Sequence, residues 1–100
     1  MAFICYFKDV SVSEKMREAA TAEHLAYIES ILEHLLVAGP LSAEDGDGYN
    51  ASCFIYDTDD RDEALSLLHN DPYFKAGIYE QVSCRRFLPA AGSWIGGKIW

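Results

Sequence analysis

The chain has 100 residues, half of them apolar and 24% charged, which is room for one domain and excludes both a disordered tail and a membrane-embedded chain. Sixteen acidic against eight basic residues leave a formal charge of −8, which disfavours nucleic acid and anionic membranes as partners. Thirteen per cent aromatic residues in so short a chain exceed what one small core hides, so part of the apolar material is expected on a subunit interface or a pocket wall.

Phe3–Phe7 reads as a strand that is apolar on both faces, with Phe3, Cys5 and Phe7 on one side and Ile4 and Tyr6 on the other. Ser13 to Val37 reads as a long helix that Ser11 or Ser13 caps. Ala20, His24, Tyr27, Ile28, Ile31 and Leu35 share its inner face, and Gly39-Pro40 ends it. Glu44 to Gly48 is a flexible acidic loop. Ala51 to Tyr56 alternates as a second strand. Thr58-Asp59-Asp60 caps a short helix through His69, with Ala64, Leu65 and Leu68 as its buried stripe. Asp71-Pro72 opens one more turn, closed by Gly77, and Tyr79 to Leu88 is the last strand.

With Ala38–Leu41 counted as a strand, the order becomes βαββαβ, an α+β ferredoxin-like plait. That plan puts both helices on one face of an antiparallel sheet and leaves the other face open for a second subunit. The domain is expected over residues 1–89. Residues 90–100 form a tail whose Trp94, Ile95, Ile99 and Trp100 are too apolar to float free, and it is expected to dock on the partner subunit or over the pocket mouth. Cys5, Cys53 and Cys84 have no paired spacing and read as buried thiols in a reducing compartment. No basic stretch followed by a long apolar segment marks a leader, so the expected location is the cytoplasm.

His24 is the most informative position. Arg17 and Thr21 precede it on the same helix face, and Ile28, Ile31 and Leu35 follow. The face turns from polar to apolar along its length, as it would if the helix packed at one end and bordered a pocket at the other. A hydrogen-bonded core histidine fits the periodicity equally well. His34 and His69 sit near helix ends, where the dipole explains them. Asp71 suits a helix cap, and a carboxylate that orients an imidazole has the same sequence signature. The Asp45–Gly48 loop fails the EF-hand pattern, and no metal site is expected.

Three short motifs in order carry a resemblance. They are Glu23-His24-Leu25-Ala26-Tyr27, Ala38-Gly39-Pro40-Leu41, and Asp71-Pro72-Tyr73-Phe74-Lys75-Ala76-Gly77, followed by Tyr79-Glu80 and a strand ending in Arg86-Phe87. Over roughly residues 2–88 the chain resembles the YCII-related (YciI-like) family. The resemblance implies a cytoplasmic homodimeric α+β barrel of ferredoxin-like subunits, with a His–Asp dyad in a pocket between helix and sheet. Those roles fall to His24 and Asp71. Ser52 becomes a pocket hydroxyl, Pro40 part of the pocket wall, and Tyr73 and Tyr79 secondary proton donors or ring contacts. Where family members often carry arginine three residues before the histidine, this chain has Thr21; Arg17, one turn back, is the substitute.

Family chemistry includes elimination of chloride from a chlorinated hydroxyhydroquinone. The expectation is therefore a lyase or isomerase that works on a hydroxylated ring without cofactor, with His24 as base and Asp71 as its orienting partner. A non-catalytic ligand-binding or accessory module is the alternative, and a haem-binding oxidase a third.

Overall fold

The computed structural model describes residues 1–11 and 13–100. Four strands form one antiparallel sheet in the order β2-β3-β1-β4: β1 (Ala2–Asp9), β2 (Leu35–Ser42), β3 (Tyr49–Tyr56) and β4 (Tyr79–Phe87). Helix α1 (Ser13–Ser30) joins β1 to β2. Helices α2 (Arg61–His69) and α3 (Pro72–Lys75) join β3 to β4. In both crossovers a third strand lies between the two connected ones, which is the ferredoxin-like plait.

Alternation puts Phe3, Cys5, Phe7 and Asp9 of β1 on the helix-covered face. Ser52, Phe54 and Tyr56 lie opposite them on β3. With Ala64 and Leu68 of α2, Tyr73 of α3, and Ile78 and Tyr79, they make the core. One irregularity decides how β4 enters it. Between Cys5↔Cys84 and Asp9↔Tyr79, β4 carries one residue more than β1. The bulge region includes Gln81, held at φ +53°, a region that non-glycine residues rarely occupy. The extra residue reverses the alternation, so the Tyr79 ring, rather than Glu80, turns inward.

The helix expected over 13–37 ends seven residues early. Ile31 N–H and His34 N–H bond back to Ile28 and Ile31 carbonyls in a tightened turn, and Asp57 N–H then takes the His34 carbonyl. Leu35–Ser42 becomes an edge strand on β3. The apolar run 31–37 satisfies either period, and only the unpaired backbone of β3 makes the extended form preferable. Gly39 and Pro40 therefore lie inside β2 instead of ending α1. Pro40 is tolerated because β2 has a neighbour on one side only. The second strand begins at Tyr49, two residues before the expected Ala51.

At the start of α1, Ser13 is already helical, and its hydroxyl donates to Asp9 at 3.1 Å. Asp60 caps α2 by accepting from Asp62 N–H at 2.9 Å.

Among the described residues, no helix lies on the second sheet face. Ile4, Tyr6, Cys53, Ile55, Val37 and Leu41 point that way by alternation, and Tyr6 and Leu41 are each 46% exposed. Cys53 is accordingly half-buried, in contrast to the buried thiol expected, while Cys5 and Cys84 face each other in the core as free thiols. The tail folds on itself as a small hairpin, β5 (Ala91–Gly92) with β6 (Gly97–Lys98), around a turn carrying Trp94. Trp94 and Trp100 are 82% and 73% exposed. No helix among the described residues is long and apolar enough to cross a membrane.

Candidate active site

Between α1 and the β2–β3 half of the sheet lies a cavity of about 690 Å³. Its helix wall carries Arg17, Thr21, His24, Leu25 and Ile28, and its sheet wall Ala38, Gly39, Pro40, Ser52 and Phe54. Spacings of three and four residues put Arg17, Thr21 and His24 on one face of α1, one turn after another. Tyr73 of α3 closes the inner end.

His24 Nδ1 lies 2.7 Å from Asp71 Oδ1. Asp71 is fully buried and caps α3, with the same Oδ1 accepting Tyr73 N–H at 2.9 Å. One oxygen thus anchors both the imidazole and the helix start. Because a carboxylate only accepts, it sets Nδ1 as the protonated nitrogen. Nε2 has no protein partner among the described residues, on a side chain that lines the cavity. Tyr73 lies flat on the imidazole, with ring centroids 3.8 Å apart and planes 7° from parallel. The Tyr73 hydroxyl is 2.9 Å from Thr21 Oγ1. Ring stacking and this bond leave His24 little rotational freedom. Asp71 Oδ2 and the hydroxyls of Tyr56 and Tyr79 are buried without hydrogen-bond partners among the described residues. Burial raises the phenols of Tyr27, Tyr56 and Tyr79 above the ordinary tyrosine range, and the Asp71 charge adds to each shift, so all three remain protonated at neutral pH.

Arg17 is held by Asp9. Its Nε and Nη2 donate to the two carboxylate oxygens at 2.6 and 2.9 Å. Nη2 also reaches Ser52 Oγ at 3.3 Å, and the guanidinium carbon sits 5.1 Å from the Tyr73 ring centroid. Burial alone would lower the guanidinium's pKa, but the hydrogen bonds and charge of Asp9 outweigh it and hold the group above its usual value. The forked pair positions Arg17 and neutralises it.

Of the expected site residues, His24, Arg17, Ser52, Tyr73 and Pro40 line the cavity, and Asp71 stands directly behind His24. Tyr79 is the exception. Its ring packs on Phe7 at 4.0 Å, outside the cavity wall, because the β4 bulge turns it into the core. Asp9, which orients Arg17, was not anticipated, since its position at the end of β1 reveals nothing of what it meets. Asp47, Gly48 and Tyr49 line the cavity as well, though the loop reads as solvated in sequence. Among the described residues, no group of three His, Cys, Asp or Glu side chains is gathered around one point as a metal would require.

The YCII-related domain model matches residues 1–88. The chain belongs to the YCII-related family. Among YCII-related proteins it is similar to Protein YciI of Escherichia coli O6:H1, with 31% identity covering 87% of this chain and 96% of that one. Its fold matches the 5-chloro-2-hydroxyhydroquinone dehydrochlorinase of Burkholderia phenoliruptrix AC1100, solved with 2,5-dihydroxybenzoquinone. The TM-score is 0.78 at 31% identity, over 93% of this chain and 97% of that one. Protein Atu4242 from Agrobacterium tumefaciens shares the fold at a TM-score of 0.53 and 17% identity.

Proposed function

We propose that this YCII-related protein is a small acid–base enzyme, a lyase or isomerase acting on a hydroxylated aromatic or quinol-type molecule. The observation that carries the reading is the 2.7 Å bond from buried Asp71 to His24 Nδ1, on a side chain whose other nitrogen is left for the cavity. The similar dehydrochlorinase, which bears the name of a hydroxyhydroquinone, supports the substrate class.

In this scheme His24 Nε2 takes a proton from a ring hydroxyl or an activated ring carbon. Asp71 stabilises the imidazolium that forms, and the stacked Tyr73 ring adds a cation–π contribution. In an elimination the ring loses that proton and a leaving group that departs with its bonding pair, so no external oxidant or reductant is consumed. In an isomerisation the proton returns to a different ring atom. Leu25, Ile28 and Phe54 would offer the ring apolar surface, and its hydroxyls would meet the Thr21 and Ser52 oxygens of the same wall. The proposed functional unit is a homodimer that covers the open sheet face carrying Ile4, Tyr6, Ile55 and Leu41, with the apolar tail docked on the partner subunit or the pocket mouth.

The test uses 5-chloro-2-hydroxyhydroquinone and other halogenated or plain quinols, followed by absorbance and halide release. Wild-type protein should turn over at least one of them. His24→Ala should abolish turnover, with sedimentation and circular dichroism unchanged. Saturable binding with no chemical change to any of them would sink the catalytic reading.

A further inference from the structure

We propose that the cavity mouth sorts ligands by charge, admitting an uncharged or cationic ring and turning away an aromatic carboxylate or other anion. From the proposed function this takes only that the ligand is a small hydroxylated ring.

Three carboxylates border the cavity. Glu14 and Glu18 stand one turn apart on α1, and Asp47 comes from the β2–β3 hairpin across the opening. All three are exposed, as befits a rim. The hairpin is a built turn: Ala43 N–H bonds Gly48 O at 3.0 Å, and Asp47 N–H bonds Asp45 Oδ1 at 2.9 Å. Gly46 and Gly48 take the positive φ values, +83° and +68°, that the turn needs. Asp47 is therefore held at the opening by backbone geometry.

Little on the described lining offsets this charge. Arg17 is the sole Lys or Arg there; its Nε and Nη2 bond Asp9, Nη2 also reaches Ser52, and only Nη1 is left without a partner among the described residues. Its partner Asp9 is buried, so the pair presents almost no net charge to the cavity. The deeper wall is uncharged hydroxyl and apolar surface: Thr21, Ser52, Leu25, Ile28, Phe54. The net charge of −8 over the whole chain points the same way. The rim carboxylates are thus a filter on the cavity already described. At roughly 10 Å in water Glu18 and Asp47 each disfavour a monoanion about twofold at low salt, and Glu14, about 15 Å up the helix from His24, adds somewhat less, so three together give about sixfold.

The experiment reads the rim without a substrate. His24 is alkylated with neutral iodoacetamide or anionic iodoacetate, each replacing iodide by a new N–C bond, and each rate is normalised to N-acetylhistidine. Peptide mass spectrometry locates the product at His24. Iodoacetate should be handicapped roughly sixfold against iodoacetamide at low salt. The handicap should vanish near 1 M salt, where the screening length is about 3 Å. Glu18→Gln with Asp47→Asn should speed iodoacetate about fourfold and leave iodoacetamide unchanged. In parallel, calorimetry compares 1,4-dihydroxybenzene with 2,5-dihydroxybenzoate, and the carboxylated ring should bind more weakly. Equal normalised rates, a double variant that changes nothing, or tighter binding of the carboxylate would each overturn the proposal. Absence of quinol turnover alongside an intact alkylation ratio would fail the catalytic reading and uphold the filter.

Discussion

Replacing Asp71 by asparagine, and separately by alanine, divides its two duties. In the native chain Asp71 Oδ1 accepts from Tyr73 N–H and from His24 Nδ1, while Oδ2 has no partner among the described residues. Asparagine keeps the carbonyl oxygen where both donors need it, since turning the amide over would set an NH₂ against Tyr73 N–H. Its NH₂ then falls at the orphaned Oδ2 position. Asp71→Asn should therefore stay within about 1 kcal/mol of wild type, because it retains the cap and removes a buried charge. It loses only the charge assistance to the imidazolium, a difference of about 1–2 kcal/mol between charged and neutral hydrogen bonds, or roughly 5–30-fold in kcat/KM. Asp71→Ala removes the cap, worth about 1 kcal/mol, and strands the Nδ1 donor for about 1–3 kcal/mol more. Together these lower stability by roughly 2–4 kcal/mol, which a domain of this size survives. Guanidinium melts of both variants and quinol turnover measure the two effects. Unchanged turnover in Asp71→Asn would refute the role of the charge. A loss near 10⁴ would refute the argument that the tautomer is retained, and equal destabilisation of the two variants would refute the capping argument.

Arg17→Ala should cost about 3 kcal/mol, because it leaves the buried Asp9 carboxylate unpaired. The double variant with Asp9→Ala should recover part of that loss, and additive effects in the cycle would show that the two side chains are not coupled. Burial raises the Cys5 and Cys53 thiols and the Tyr56 and Tyr79 phenols above their ordinary values of 9.0 and 10.0. Their contribution is full below those values and is lost as pH rises, because the unfolded chain sheds these protons first. Melting temperature should therefore fall progressively from about pH 9 upward, and a flat profile through pH 11 would contradict it.

The ferredoxin-like order and the His24–Asp71 pair were both legible in the sequence. Alternation marked Phe3–Phe7 and Ala51–Tyr56 as strands, and helical spacing put Arg17, Thr21 and His24 on one face. Asp-Pro announced the start of α3. What joined His24 to Asp71, 47 residues apart, was the family resemblance, since spacing within an element says nothing about distance across the fold.

The sequence by itself determined the composition of the core, the caps of α2 and α3 and the helix face that borders the cavity, because these follow from local periodicity and backbone hydrogen-bonding needs. The tertiary structure alone decided the rest. Pairing with β3 turned Leu35–Ser42 from helix into an edge strand. One extra residue in β4 withdrew Tyr79 from the cavity into the core. Packing of α1 against the end of β1 brought Asp9 to Arg17 and so cancelled the one cationic charge facing the cavity. Each of these depends on which backbone groups and side chains meet across the sheet, and neither periodicity nor composition encodes that at any single position.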